Sequence, residues 1–168
     1  MPELRVLLDV DELLLQLRHP LQAERLAAAR ALDDVAQTPE IERALRTAAF
    51  DDPNPDVRRW SLHALGCAHC KPDGVCSTDV VGAFVHALLH DRSRKVRRFA
   101  AGCTMWSQLS QDDRLTSAFR TVLATSDDRV LRERAATYLA ALELPRGDRP
   151  YREWLAEWEP RREALLAS

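Results

Sequence analysis

The stretch DDPNPDVRRWSLHAL, residues 51–65, decides the fold. Its first six residues form a turn: the two prolines cannot continue a preceding helix, and the Asp and Asn side chains cap the helix that begins after them. From Val57 the chain continues VRRWSLHAL, and three other segments align with it. They are ERLAAARAL from Glu24, VRRFAAGCT from Val96 and LRERAATYL from Leu131. Each carries arginine at its second position (Arg25, Arg58, Arg97, Arg132) and a small residue at its fifth (Ala28, Ser61, Ala100, Ala135). The segments begin at residues 24, 57, 96 and 131, so the spacings are 33, 39 and 35 residues. Self-similarity at such a period is the mark of a stacked repeat.

A second helical pattern precedes three of these segments. Ile41, Leu45 and Ala48 recur at helix spacing, as do Val81, Phe84, Val85 and Leu88, then Leu115, Phe119 and Val122. Thr38-Pro39 predicts an N-cap and a first-turn proline. Ser110, ahead of Gln-Asp-Asp, predicts a hydroxyl cap with early acids. HDRSRK (90–95) and TSDDR (125–129) predict tight helix–helix turns like that at 51–56. Antiparallel helix pairs at this period define an all-α fold, an α-solenoid of about four pairs. The small fifth-position residues let neighbouring helices approach closely, and a pair that cannot bury its apolar face alone must stack on the next. The solenoid is expected over residues 1–143, with repeats at roughly 3–36, 38–70, 78–109 and 110–143. Residues 144–168 then form a linker and a C-terminal helix. In that helix Trp154, Leu155 and Trp158 pack over the last repeat as its cap, and Pro160 interrupts or kinks it.

The Asp-Pro turn, the Val-Arg pair and alanine at helical spacing resemble HEAT-like repeats of the short phycobilisome-lyase type, over roughly residues 11–143. The resemblance implies the fold more than the activity, since that family includes scaffolds, chromophore lyases, hydroxylases and DNA glycosylases. The His-Glu iron-binding pairs of the hydroxylase branch are absent, and no lyase residue carries over.

The long spacing of 39 residues holds LHALGCAHCKPDGVC, residues 62–76. Lys71-Pro-Asp-Gly74 is a turn that ends the helix after Cys70. At about 100° per residue, with His63 as zero, Cys67 lies near 40° and Cys70 near −20°. The three side chains share one face, and the returning chain delivers Cys76. His63, Cys67, Cys70 and Cys76 thus make a Cys3His set with the Cys-x2-Cys hook of tetrahedral zinc. Thiolate ligation favours Zn2+ over magnesium or calcium, and an iron–sulfur cluster usually calls for a fourth cysteine. Cys103 takes the slot of Ala64 in the repeat and is expected as a small buried hydrophobe. His69 falls off the ligand face. Four protein ligands would close the shell, making the ion structural: a staple between repeats two and three. Inert thiols or a redox pair are the alternatives.

On the same projection, one side of each second helix turns from the core. It carries Arg59, Trp60 and His63 in repeat two, Arg98, Phe99 and Trp106 in repeat three, and Arg134 in repeat four. Aromatics beside arginines are the composition of a binding hot spot. The expected partner is a protein docked on Arg59, Trp60, Arg98, Phe99 and Trp106. Packing of Trp60 and Phe99 between helices is the plainer alternative. The same residues suit phosphate contact and base stacking, a nucleic-acid reading. Against it stand the net charge of −2 and the acids Asp51, Asp52, Asp56, Asp91, Asp127 and Asp128, expected to pair with the repeat arginines. No Gly-rich phosphate loop, nucleophile elbow or His-Glu motif is present, so no enzyme is expected. The first residues lack a signal-peptide layout and no stretch reaches a membrane span, so the cytoplasm is the expected compartment. There, paired thiols ligate metal in preference to forming disulfides.

Overall fold

The computed structural model describes residues 9–66, 79–105, 112–145 and 147–167. These fold as α1 (Val10–Gln16), α2 (Gln22–Ala31), a 3-10 turn (Leu32–Asp34), α3 (Pro39–Asp51), α4 (Pro55–Gly66), α5 (Val80–His90), α6 (Arg94–Met105), α7 (Asp113–Thr125), α8 (Arg129–Glu143) and α9 (Tyr151–Ala167). Among the described residues there is no strand. The architecture is an all-α solenoid of helical hairpins with a C-terminal capping helix. No described helix is long and apolar enough to cross a membrane. The chain divides into two units, residues 1–83 and 84–168.

In the first unit α1 packs on α2 and α3 on α4, and the second helices α2 and α4 also pack on each other. That last contact is what makes hairpins a stack. Leu13, Leu17, Leu32, Ile41, Leu45, Val57, Leu62 and Leu65 fill the unit. Each buried aliphatic side chain contributes about 1.5–3 kcal/mol. In the second unit α7 packs on α8, and α8 on both α6 and α9. Phe84, Leu88, Val96, Leu115, Phe119 and Leu131 are buried there, with Phe119 stacked on Tyr138 at 4.2 Å between centroids. The fifth-position residues Ala28, Ser61, Ala100 and Ala135 are all fully buried, as close helix approach requires.

The repeat signature acquires a cause at the turns within the hairpins. Six residues before each second-position arginine stands His19, Asp52, Asp91 or Ser126. The side chain of each accepts the backbone N–H two residues on: Leu21 to His19 (3.2 Å), Asn54 to Asp52 (2.8 Å), Ser93 to Asp91 (2.7 Å) and Asp128 to Ser126 (3.1 Å). The arginine then folds back onto the turn. Arg25, Arg58 and Arg97 donate through Nη1 to the carbonyls of His19, Asp52 and Asp91 at 2.9, 2.8 and 2.7 Å. Arg132 reaches instead to Leu123 O (3.2 Å) and to Leu166 O of α9 (3.2 Å). Carbonyls at a helix C-terminus have no partner within the helix, and a guanidinium satisfies them with a charge-assisted bond. The arginine therefore closes the turn from within.

Carboxylates also bind arginines, as the sequence led one to expect. Arg25 pairs with Asp52 at 2.6 Å, Arg59 with Asp56 at 3.4 Å, Arg94 with Asp127 at 3.1 Å and Arg98 with Asp128 at 2.8 Å. Thr38 caps α3, accepting from Ile41 N at 3.3 Å, with Pro39 in the first position. The cap of α7 differs from expectation: it is Asp112, which accepts from Arg114 N at 2.9 Å, while Ser110 lies outside the described residues. A carboxylate serves the helix dipole better than a hydroxyl, and Arg114 also pairs with it. α9 is not interrupted by Pro160, which lies inside it. Pro160 and Ala156 are both exposed, so water can take up the carbonyl that proline leaves without a donor.

Candidate interaction face

The second helices present the face that the sequence singles out. In the first unit α4 places Arg59, Trp60 and His63 in half-buried positions, and α2 brings Arg30 to the same spot. The Arg30 guanidinium carbon lies 5.0 Å from the centre of the Trp60 ring and that of Arg59 lies 5.9 Å away. The His63 ring is 5.1 Å distant at 57°. A tryptophan with two guanidiniums over its ring gains cation–π attraction. Its Nε1 is buried and has no hydrogen-bond partner among the described residues. Asp33, from the 3-10 turn after α2, sets its Oδ2 3.1 Å from His63 Nδ1. Neither Arg30 nor Asp33 is legible in the sequence as part of this face. Both come from the preceding hairpin, and only the packing of α2 on α4 delivers them.

In the second unit Arg98 and Phe99 are half-buried on α6. The Arg98 fork is engaged bidentately by Asp128, through Nε at 2.9 Å and Nη2 at 2.8 Å. Asp128 is buried and also caps α8, accepting from Val130 N and Leu131 N at 3.1 and 3.3 Å. The Arg98 guanidinium holds the Asp128 carboxyl below the usual carboxylate range, helped by the Leu131 and Val130 amides and opposed by burial. Arg134, also on this side, donates to the Arg98 carbonyl and lies over Gly102, where a Cβ would stand 2.9 Å from its Nη1. Glycine inside α6 thus opens the path for that guanidinium.

Trp106, Cys67, Cys70 and Cys76 lie outside the described residues, as do His69 and the 71–74 turn. Of the four expected zinc ligands, His63 alone is described. No group of three metal-ligating side chains occurs among the described residues. Cys103 departs from expectation: Ala64 in its slot is fully buried, but Cys103 is only half-buried, near the end of α6.

Two open grooves, of about 390 and 310 Å3, lie at equivalent hairpin turns, one within each unit. Arg25, Thr47 and Asp52 line the first, and Arg97, Thr121 and Ser126 the second, so they repeat with the hairpins.

No curated protein matches the chain. A family model described as HEAT repeats matches residues 10–75, less than half of the chain: the first two hairpins and the cysteine segment up to Val75. Over that span the chain is similar to HEAT repeats, and the same turn chemistry recurs in the helical hairpins of the second unit.

Proposed function

We propose that this protein is a non-catalytic interaction or scaffold module that captures a protein partner on the second-helix face. HEAT repeats generally serve protein interaction and scaffolding. The observation that carries the reading is Trp60, half-buried with the guanidiniums of both Arg30 and Arg59 over its ring. A rigid aromatic with cations around it concentrates binding free energy in a small area. Arg59 and Trp60 in the first unit, and Arg98, Phe99 and Trp106 in the second, are the contact residues of this reading.

The nucleic-acid alternative loses support where arginines are already engaged. Arg98 is held by Asp128, Arg94 by Asp127 and Arg25 by Asp52. Phosphate would have to displace a carboxylate at each.

The same reading includes a structural Zn2+ on His63, Cys67, Cys70 and Cys76. Support comes from Asp33: its Oδ2 lies 3.1 Å from His63 Nδ1, so the carboxylate occupies that side of the ring and leaves Nε2 for an ion. The ion would tie the 67–78 segment to the end of α4. The module belongs in a reducing compartment, the cytoplasm, where thiols are kept for the metal.

The test compares the wild-type chain with Trp60→Ala and the exposed Arg30→Glu in affinity capture from the native host. One defined partner retained by the wild type, and lost by both variants with melting preserved in Arg30→Glu, supports the reading. Equal capture by all three overturns it.

A further inference from the structure

Outside the faces already described, α5 carries two histidines on one side of its last turn. His86 and His90 are four residues apart and both exposed. Between them Ala87 and Leu88 are buried, so the helix is pinned to its unit by one face and presents the imidazoles on another. The ring centroids are 5.3 Å apart and the planes 53° from each other.

We infer that His86 and His90 form a chelating site for a divalent transition ion of the imidazole-seeking class, Zn2+, Ni2+ or Cu2+. Residues four apart on a helix meet one turn above each other, the spacing from which paired histidines share an ion. An ion about 2.1 Å from each ring nitrogen sits roughly 3.2 Å from each ring centre, and at a tetrahedral angle the centres it bridges lie about 5.3 Å apart. The observed centroid separation of 5.3 Å matches that distance.

The helix end agrees in charge. The C-terminal end of a helix carries a partial negative charge that favours a bound cation, and both rings belong to that end of α5. The adjoining acids are used elsewhere: Asp91 accepts Ser93 N at 2.7 Å and Asp127 pairs with Arg94 at 3.1 Å. No third His, Cys, Asp or Glu among the described residues completes a ligand group. Among the described residues, then, the remaining coordination positions are left to water or to a donor from another molecule. The site is open and exchangeable, unlike the closed shell expected of a Cys3His ion.

Nickel(II) is the probe, titrated by calorimetry into the full chain carrying one equivalent of zinc, which thiolates take in preference to two imidazoles, with near-ultraviolet absorption recorded for nickel–thiolate charge transfer. The expected result is one nickel per chain without thiolate absorption. Affinity should fall at least about ten-fold in His86→Gln and equally in His90→Gln, since each loses the second, tethered ligand. Both positions are exposed, so melting without metal stays as in the wild type. No nickel uptake, wild-type affinity in both variants, or loss in only one of them overturns the chelate. Thiolate absorption with unchanged binding in the histidine variants also overturns it, by placing the nickel on cysteine. None of these outcomes bears on partner capture through Trp60.

Discussion

Arg58 shows how much a single side chain does in this repeat. It is almost wholly buried, and its Nη1 donates to Asp52 O at 2.8 Å and Pro53 O at 3.3 Å. A hydrogen bond from a charged donor contributes about 1.5–3 kcal/mol, and its loss takes that donor from the carbonyl of the buried Asp52. Arg58→Ala should therefore lower unfolding free energy by about 3 kcal/mol or more in urea titration. Arg58→Lys, which keeps the charge but not the fork, should fall between. The pair Arg98–Asp128 makes a pH-dependent counterpart. Asp128 titrates lower in the folded chain than in the unfolded one because Arg98 binds its carboxylate. Its contribution is thus present above the unfolded value, near pH 4, and is lost as pH falls through the lower folded value. Arg98→Met should destabilise the chain at neutral pH, and the gap in urea midpoint from wild type should narrow as pH falls from about 7 to about 3. A constant gap would show that Arg98 acts through packing.

Elements of this fold differ in what holds them. α4 is fastened at its start by Asn54, whose Oδ1 accepts from Asp56 N at 2.8 Å, and by the Arg58 turn. Near its other end the Ala64 carbonyl accepts from Gln37 Nε2 at 3.0 Å. Arg46 of α3 donates to Asp79 O at 2.8 Å, tying the residue before α5 to the second hairpin. The zinc reading adds a further fastening, between Ala64 and Asp79. A chelator that strips the ion should lower the melting temperature by several degrees, and Cys70→Ser should reproduce the effect without chelator. Melting that ignores both would rule out a structural ion. The recurring periods were enough to predict the hairpins and the turns between them. Arg30 and Asp33 were not predictable as neighbours of Trp60 and His63, because side-chain periodicity describes one helix at a time.

For the molecule as a whole, the end of a stack is the exposed risk. α9 covers α8: Trp154 Nε1 donates to Leu144 O at 2.7 Å, Arg161 pairs with Glu143, and Arg132 reaches Leu166 O. Trp154 stacks on Trp158 at 5.2 Å. Terminal repeats need such a cover, since stability in a solenoid is a sum of neighbour contacts. Ending the chain after Leu144 should lower the melting temperature by about 5 °C or more and promote self-association, measured by calorimetry and light scattering. A truncated chain that melts like the full one would make α9 an appendage instead of a cap.

The hairpins, their register and their buried small residues were determined by the sequence, because helix period, proline and capping chemistry are local. The use made of the arginines was decided by tertiary structure. The identical second-position side chain closes its own turn in three hairpins and reaches to α9 in the fourth. Arg98, which the sequence marks for a partner, is taken by Asp128 across the stack. A long, flexible cation binds whichever acceptor the fold brings within reach, and no local pattern contains that distance.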